Sequence, residues 1–139
     1  MRFEFATAQR ILFGEGTLRE VPAAARAFGQ RAILVRGSSG ERAAGLRASL
    51  EAAGVECREF AVTDEPTVQL IHSAPRDADL VVAFGGGSVL DAGKAIAALI
   101  TNPGDPMDYL EVIGRAQPLG AVAAPCIAIP TTARTGSEV

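Results

Sequence analysis

Gly85, Gly86 and Gly87 stand in a row before Ser88, and Asp91 and Lys94 follow at a spacing of three residues, within the stretch AFGGGSVLDAGKAIA. Glycines have no Cβ, so they can take positive φ and let a ligand approach the main chain. A helix beginning near Ser88 would aim its unpaired N–H groups and positive dipole end at the same place. The chemistry this suits is the binding of phosphate or pyrophosphate. A tight strand-to-helix turn holding no ligand would use the same residues, and GGGS alone does not separate the two. Neither standard phosphate fingerprint is met: Leu90 occupies the third glycine position of GxGxxG. Gly93-Lys94 lacks both the upstream glycine of a P-loop and a hydroxyl residue at Ala95, which disfavours a Walker-type NTPase. Asp91 and Lys94 would form a solvated helical ion pair worth a few tenths of a kcal/mol. Asp91, near the helix start, could also favour the dipole or hydrogen-bond to a ligand.

A second polar stretch, Pro130-Thr131-Thr132-Ala133-Arg134-Thr135-Gly136-Ser137-Glu138, follows the last apolar run. Its hydroxyls and amides suit further contacts to the same ligand, and an exposed loop is the alternative. Cys57 and Cys126 are far apart and His72 is the sole histidine. Neither a zinc site nor a disulfide framework is supported, and this chain is badly equipped to hold a catalytic metal.

The elements that must carry these residues alternate. Arg2–Ala6 and Arg10–Phe13 are β-prone, and Thr17 is placed to cap a helix running to about Phe28, closed by Gly29. Strands are predicted over Arg31–Val35, Val55–Val62, Asp79–Phe84 and Cys126–Ile129, with helices after Gly40, after Thr67 and over Ser88–Ile100. Gly54 stops the second helix, Pro75 cuts the third short, and Asn102 to Pro106 breaks the chain. Strand and helix in alternation imply an α/β doubly wound, mainly parallel sheet with flanking helices. In such a sheet, ligands lie beyond the carboxyl ends of the strands, where Gly85 to Gly87 fall.

The 139 residues suit one domain, and 48% are apolar, enough for an ordinary core. A net charge of −3 offers no basic footprint for nucleic acid. The N-terminus lacks an apolar segment of signal-peptide length, and the longest apolar stretch, PLGAVAAPCIAIP, is short and broken by prolines. These features predict a cytoplasmic protein without a membrane partner.

Taken together, the motifs resemble the iron-dependent (group III) alcohol dehydrogenases. The likeness begins at FATAQRILFGEGTL (Phe5–Leu18), continues through Glu65-Pro66-Thr67, GGGSVLDAGKAIA and NPGDPMDY, and ends in PTTARTGSEV, so it covers essentially the whole chain. Maleylacetate reductases, glycerol dehydrogenases and dehydroquinate synthases share the superfamily fold. Asp91 and the TGSEV ending favour the alcohol dehydrogenase branch. The resemblance implies a Rossmann-like domain binding NAD or NADP, followed in the family by a helical domain whose aspartate and three histidines hold divalent iron or zinc. None of those ligands matches a residue of this chain, so no catalytic or metal residue is assigned in it. Gly86, Gly87 and Ser88 would cradle the pyrophosphate, and Thr131, Thr132 and Thr135 would contact the phosphate and nicotinamide end.

Three departures stand out. Where the family commonly has Thr-Asp after the strand, this sequence has Arg36-Gly37 followed by Ser38. Losing a ribose-binding carboxylate and gaining a cation relaxes selection against a 2′-phosphate, so NADPH should be tolerated, with these three residues near the adenosine end. The helix between Thr67 and Asp79 should be truncated, leaving cover on that sheet face in question. Arg134 replaces a frequent glycine, where its side chain could crowd the phosphate loop or pair with phosphate.

The function implied is the cofactor-binding domain of a metal-dependent alcohol dehydrogenase, moving hydride between an alcohol/aldehyde pair and nicotinamide. The alternative is a stand-alone nucleotide-binding module or a truncated remnant without activity. A flavodoxin-like binding protein is a more distant reading. The 139 residues alone should show negligible dehydrogenase activity. Self-association into a homo-oligomer is expected, with Leu119–Ile129 the first apolar patch to examine.

Overall fold

The computed structural model describes residues 8–133 and 136–137. The apolar runs Arg31–Arg36 (β1) and Leu80–Gly85 (β3) form the middle of a four-stranded sheet, flanked by Glu56–Ala61 (β2) and Cys126–Pro130 (β4). The order is β2-β1-β3-β4 and every pairing is parallel, with Arg36 opposite Ala61 on one side and Phe84 on the other, and Gly85 opposite Pro130. Central strands of such a sheet are buried on both faces, which explains their unbroken apolar sequence. Ala32, Leu34, Leu80 and Val82 face helices α1 (Val21–Phe28) and α2 (Gly40–Ala52). Ile33, Val35, Val81 and Ala83 face α4 (Gly87–Thr101) on the other side. The doubly wound α/β architecture is therefore present.

The α4 helix buries Val89, Leu90, Ala92, Gly93, Ile96, Ala97 and Leu99. It lies so close to β3 that a Cβ on Gly93 would stand 2.6 Å from that of Ala83. Gly93, read as the end of an imperfect P-loop, is thus a packing glycine. At the end of α4, buried Asn102 donates through Nδ2 to the carbonyls of Ala98 and Ala121 and accepts from the Ala121 amide at 2.8 Å, steering the chain toward β4.

Several local expectations are revised. Arg10–Phe13 forms no strand among the described residues, and Arg2–Ala6 lies outside them. Thr17 does not cap a long helix: its hydroxyl donates to the Gly14 carbonyl at 3.0 Å. A 3-10 turn over Thr17–Glu20 precedes α1, which starts around Pro22, where the missing amide costs nothing. The third helix, α3, is only Val68–His72, as Pro75 predicted. Ile71 and Ala74 still pack on the sheet with Tyr109 beside them, so this face is covered at its margin. Tyr109 belongs to α5 (Pro106–Tyr109), a short helix in the stretch expected only to break the chain. Asp105 and Asp108 build its capping box.

Candidate nucleotide-binding site

From β1 the chain runs outward to β2, then returns across β1 to β3, so the connections leaving β1 and β3 diverge. A crevice opens at such a reversal of strand order. Here it measures about 450 Å³. Gly37 and Ser38 line it from β1, Val62 to Glu65 from the end of β2, and Gly86, Gly87, Ser88 and Val89 from the start of α4.

The glycines work by close approach. Gly86 has φ −81° and ψ −173°, and neither Gly85 nor Gly87 takes positive φ, which corrects the expectation that positive φ would be used. A Cβ on Gly85 would lie 2.7 Å from the Cβ of Val89, so only glycine lets the first turn of α4 fold back onto the strand end. A Cβ on Gly86 would meet Thr132 Oγ1 at 3.3 Å, and the Thr131 amide donates to the Gly85 carbonyl at 2.9 Å. Thr131 and Thr132 therefore flank the glycine turn on its β4 side.

The α4 helix starts at this crevice and α2 begins just beyond Gly37 and Ser38, and neither helix has a side-chain cap at its N-terminus. By contrast, Thr67 Oγ1 caps α3 by accepting from the Leu70 amide at 3.1 Å. Open amides at a helix start, with a positive dipole end behind them, suit an anion. Ser88 donates from Oγ to Glu65 Oε1 at 2.9 Å. Asp91, exposed on the first turns of α4, accepts from Ser137 Oγ at 3.0 Å and so joins the helix to the last described residues. Thr135 and Arg134 lie outside the described residues.

Arg36, the last residue of β1, does not extend freely. Its Nε donates to Glu59 Oε2 at 2.6 Å and its Nη1 to the Gly37 carbonyl at 3.0 Å. Arg47 on α2 donates to the other oxygen of Glu59 at 3.1 Å. The hydrogen bond from Arg36, followed by that from Arg47, holds the Glu59 carboxyl below its usual range. Glu59 and Glu65 were both missed as residues of this region. Alternation along β2 puts Glu59 on the α2 side, yet its partner Arg36 becomes evident only when β2 is known to pair with β1.

Among the described residues, no group of three or more His, Cys, Asp or Glu side chains could hold a metal ion. Burial pushes the Cys57 and Cys126 thiols up to about 11, leaving both protonated near neutral pH. The cleft thus offers glycine backbone, hydroxyls and the uncapped start of α4, which are means of binding.

Known proteins resemble this chain over nearly its whole length. The family described as iron-containing alcohol dehydrogenase matches residues 8–139. The sulfoacetaldehyde reductase of Bilophila wadsworthia is 32% identical over 150 residues, covering 100% of this chain and 38% of that protein. An archaeal halo-thermophilic alcohol dehydrogenase from a Red Sea brine pool superposes with a TM-score of 0.84 at 32% identity, covering 100% of this chain and 39% of the other. The sulfoacetaldehyde reductase of Bifidobacterium kashiwanohense, solved in complex with NAD+, gives a TM-score of 0.81 at 28% identity, covering 100% and 38%. The chain spans less than two-fifths of the length of these relatives. With a family match over nearly its whole length and the same sheet in the solved structures, the chain belongs to the iron-containing alcohol dehydrogenase family.

Proposed function

We propose that this chain forms the cofactor-binding part of an NAD(P)-dependent, metal-dependent alcohol dehydrogenase that transfers hydride between an alcohol/aldehyde pair and nicotinamide. The observation that carries the reading is the uncapped start of α4 behind Gly85, Gly86 and Gly87, opening on the crevice where the strand order reverses. A Cβ at Gly85 would collide with Val89 and one at Gly86 would crowd Thr132, so glycine keeps the turn tight, and the uncapped start of α4 behind it suits a pyrophosphate. When bound, the dinucleotide supplies the hydride acceptor or donor.

The chain's own residues bind and orient. The amides of Gly87 and Ser88 would hold the pyrophosphate, the Ser88 hydroxyl, which now donates to Glu65, would be available to a phosphate oxygen, and Thr131 and Thr132 would support the nicotinamide end. Thr135 is assigned to the same end by family resemblance. Gly37 and Ser38 lie along the adenosine end, and Asp91 steadies the first turns of α4 through Ser137. Gly37 puts no carboxylate beside the ribose, and Arg36 adjoins it, so the reading includes acceptance of NADPH. The family's metal, iron or zinc, finds no group of three or more His, Cys, Asp or Glu side chains to hold it among the described residues.

The reading extends to a cytoplasmic homo-oligomer. Two protonated free thiols suit a reducing compartment, and exposed Phe13, Leu119 and Val122 supply apolar surface for association. No helix among the described residues is long and apolar enough to cross a membrane. The test is calorimetric titration of the chain with NADPH and then NADH. Saturable binding is expected, with NADH no more than about tenfold tighter than NADPH, a difference of about 1.4 kcal/mol. Failure of the folded chain to bind either nucleotide would overturn the reading.

A further inference from the structure

Arg36, Glu59, Arg47 and Glu51 form one continuous chain of ion pairs between β1, β2 and α2. Glu59 Oε2 takes Arg36 Nε at 2.6 Å, Glu59 Oε1 takes Arg47 Nη1 at 3.1 Å, and Glu51 Oε1 takes Arg47 Nε at 2.7 Å. Two cations and two carboxylates cancel in formal charge. The guanidinium of Arg36 is held over the start of α2, where a Cβ on Gly40 would stand 3.4 Å from its Cζ. Its Nη1 is used by the Gly37 carbonyl, while Nη2 makes no hydrogen bond among the described residues. The side chains of Arg36 and Glu59 are 20% and 25% exposed, so solvent screens this pair less than the outer Arg47–Glu51 pair.

Gly37 and Ser38, directly after Arg36, line the cleft. A nucleotide lying along them would bring its ribose close to this guanidinium. A 2′-phosphate is a dianion near neutral pH and a 2′-hydroxyl is neutral. A carboxylate fixed on Arg36 therefore opposes the phosphorylated cofactor and is almost without effect on the other. We propose that Glu59 is a specificity-determining positioning residue: acting through Arg36, it holds down the preference of this site for a 2′-phosphorylated dinucleotide. This inference rests on the dinucleotide reading above.

Glu59→Gln keeps the size and a hydrogen-bond acceptor while removing the charge. In calorimetric titrations, the variant should bind NADPH about three- to tenfold more tightly than the unaltered chain, with NADH changed by less than about twofold. The gain should shrink as salt is raised. Adding Arg36→Gln should abolish the gain, and Arg36→Gln alone should weaken NADPH relative to NADH. A purely structural role for Glu59 would move both nucleotides together. That result, or an unchanged NADPH-to-NADH ratio, would overturn the inference and leave the binding reading intact. If neither nucleotide binds the unaltered chain, both fall together. Should Glu59→Gln fail to fold, the Arg36→Gln ratio decides: no relative loss of NADPH overturns the proposal.

Discussion

The two ends of the sheet are built to different rules. At the amino ends of β1 and β3, donors are matched with acceptors. Asp79 accepts from the amides of Gln30 and Arg31, both at 3.0 Å, and from Arg31 Nη2 at 2.8 Å, while Asp77 takes the other side of the same guanidinium. Gly29 is bare because a Cβ there would lie 2.3 Å from the Cβ of Asp79. At the carboxyl ends, α2 and α4 start without caps and glycines leave the main chain uncovered. Glycine makes room for contacts within the protein at both ends, and at the carboxyl ends it also precedes a helix start that has no side-chain cap. The difference teaches that stability and binding can be perturbed separately in this molecule.

The sharpest break of that contrast is Gly86→Val. The Cβ alone would stand 3.3 Å from Thr132 Oγ1, and the two methyls would add bulk to this turn. Nucleotide binding should weaken by more than about tenfold, while replacing glycine at the start of the helix should cost no more than about 1 kcal/mol in a denaturant titration. Comparable loss of stability and binding would erase the distinction between the ends.

At the opposite end, Asp79→Ala should lower the melting temperature and leave nucleotide affinity within about twofold. Arg31, and then the two amides, bring the Asp79 carboxyl down from 3.8 to about 2. Because the folded value lies below the unfolded one, the stabilisation is complete above the ordinary carboxylate range and disappears as pH falls through the folded value. The gap in melting temperature should therefore be full near neutral pH, narrow below about pH 4 and be smallest near pH 2. A pH-independent gap would assign the effect to packing against Gly29.

The smallest change sharpens the picture within the cleft. Ser88→Ala removes one hydroxyl now donated to Glu65. It should weaken nucleotide binding by about threefold to tenfold, the scale of one hydrogen bond, with no measurable change in melting temperature. Unaltered affinity would show that the helix amides hold the anion without it.

The glycine turn, the two threonines after β4 and all four strands were readable from sequence, because each rests on local grammar: unbroken apolar runs, a helical pattern and glycines between them. Thr17 shows where local grammar misleads. A capping residue was available, yet Pro22 moved the helix start and the hydroxyl turned to Gly14. Glu59 shows the other gap, since a carboxylate alternating along an outer strand looks like an ordinary exposed charge until Arg36 is placed beside it.

By itself the sequence determined the alternation of strands and helices, the buried central strands and a glycine turn before α4, for these follow from side-chain periodicity and from the absence of Cβ atoms. Only the tertiary structure decided that β1 lies between β2 and β3, which makes the crevice and couples Arg36 to Glu59. It also decided that Gly85 and Gly93 serve close packing without positive φ. Pairing order, helix-to-sheet distance and the partner of a charge depend on residues distant in the chain, and no local pattern specifies them.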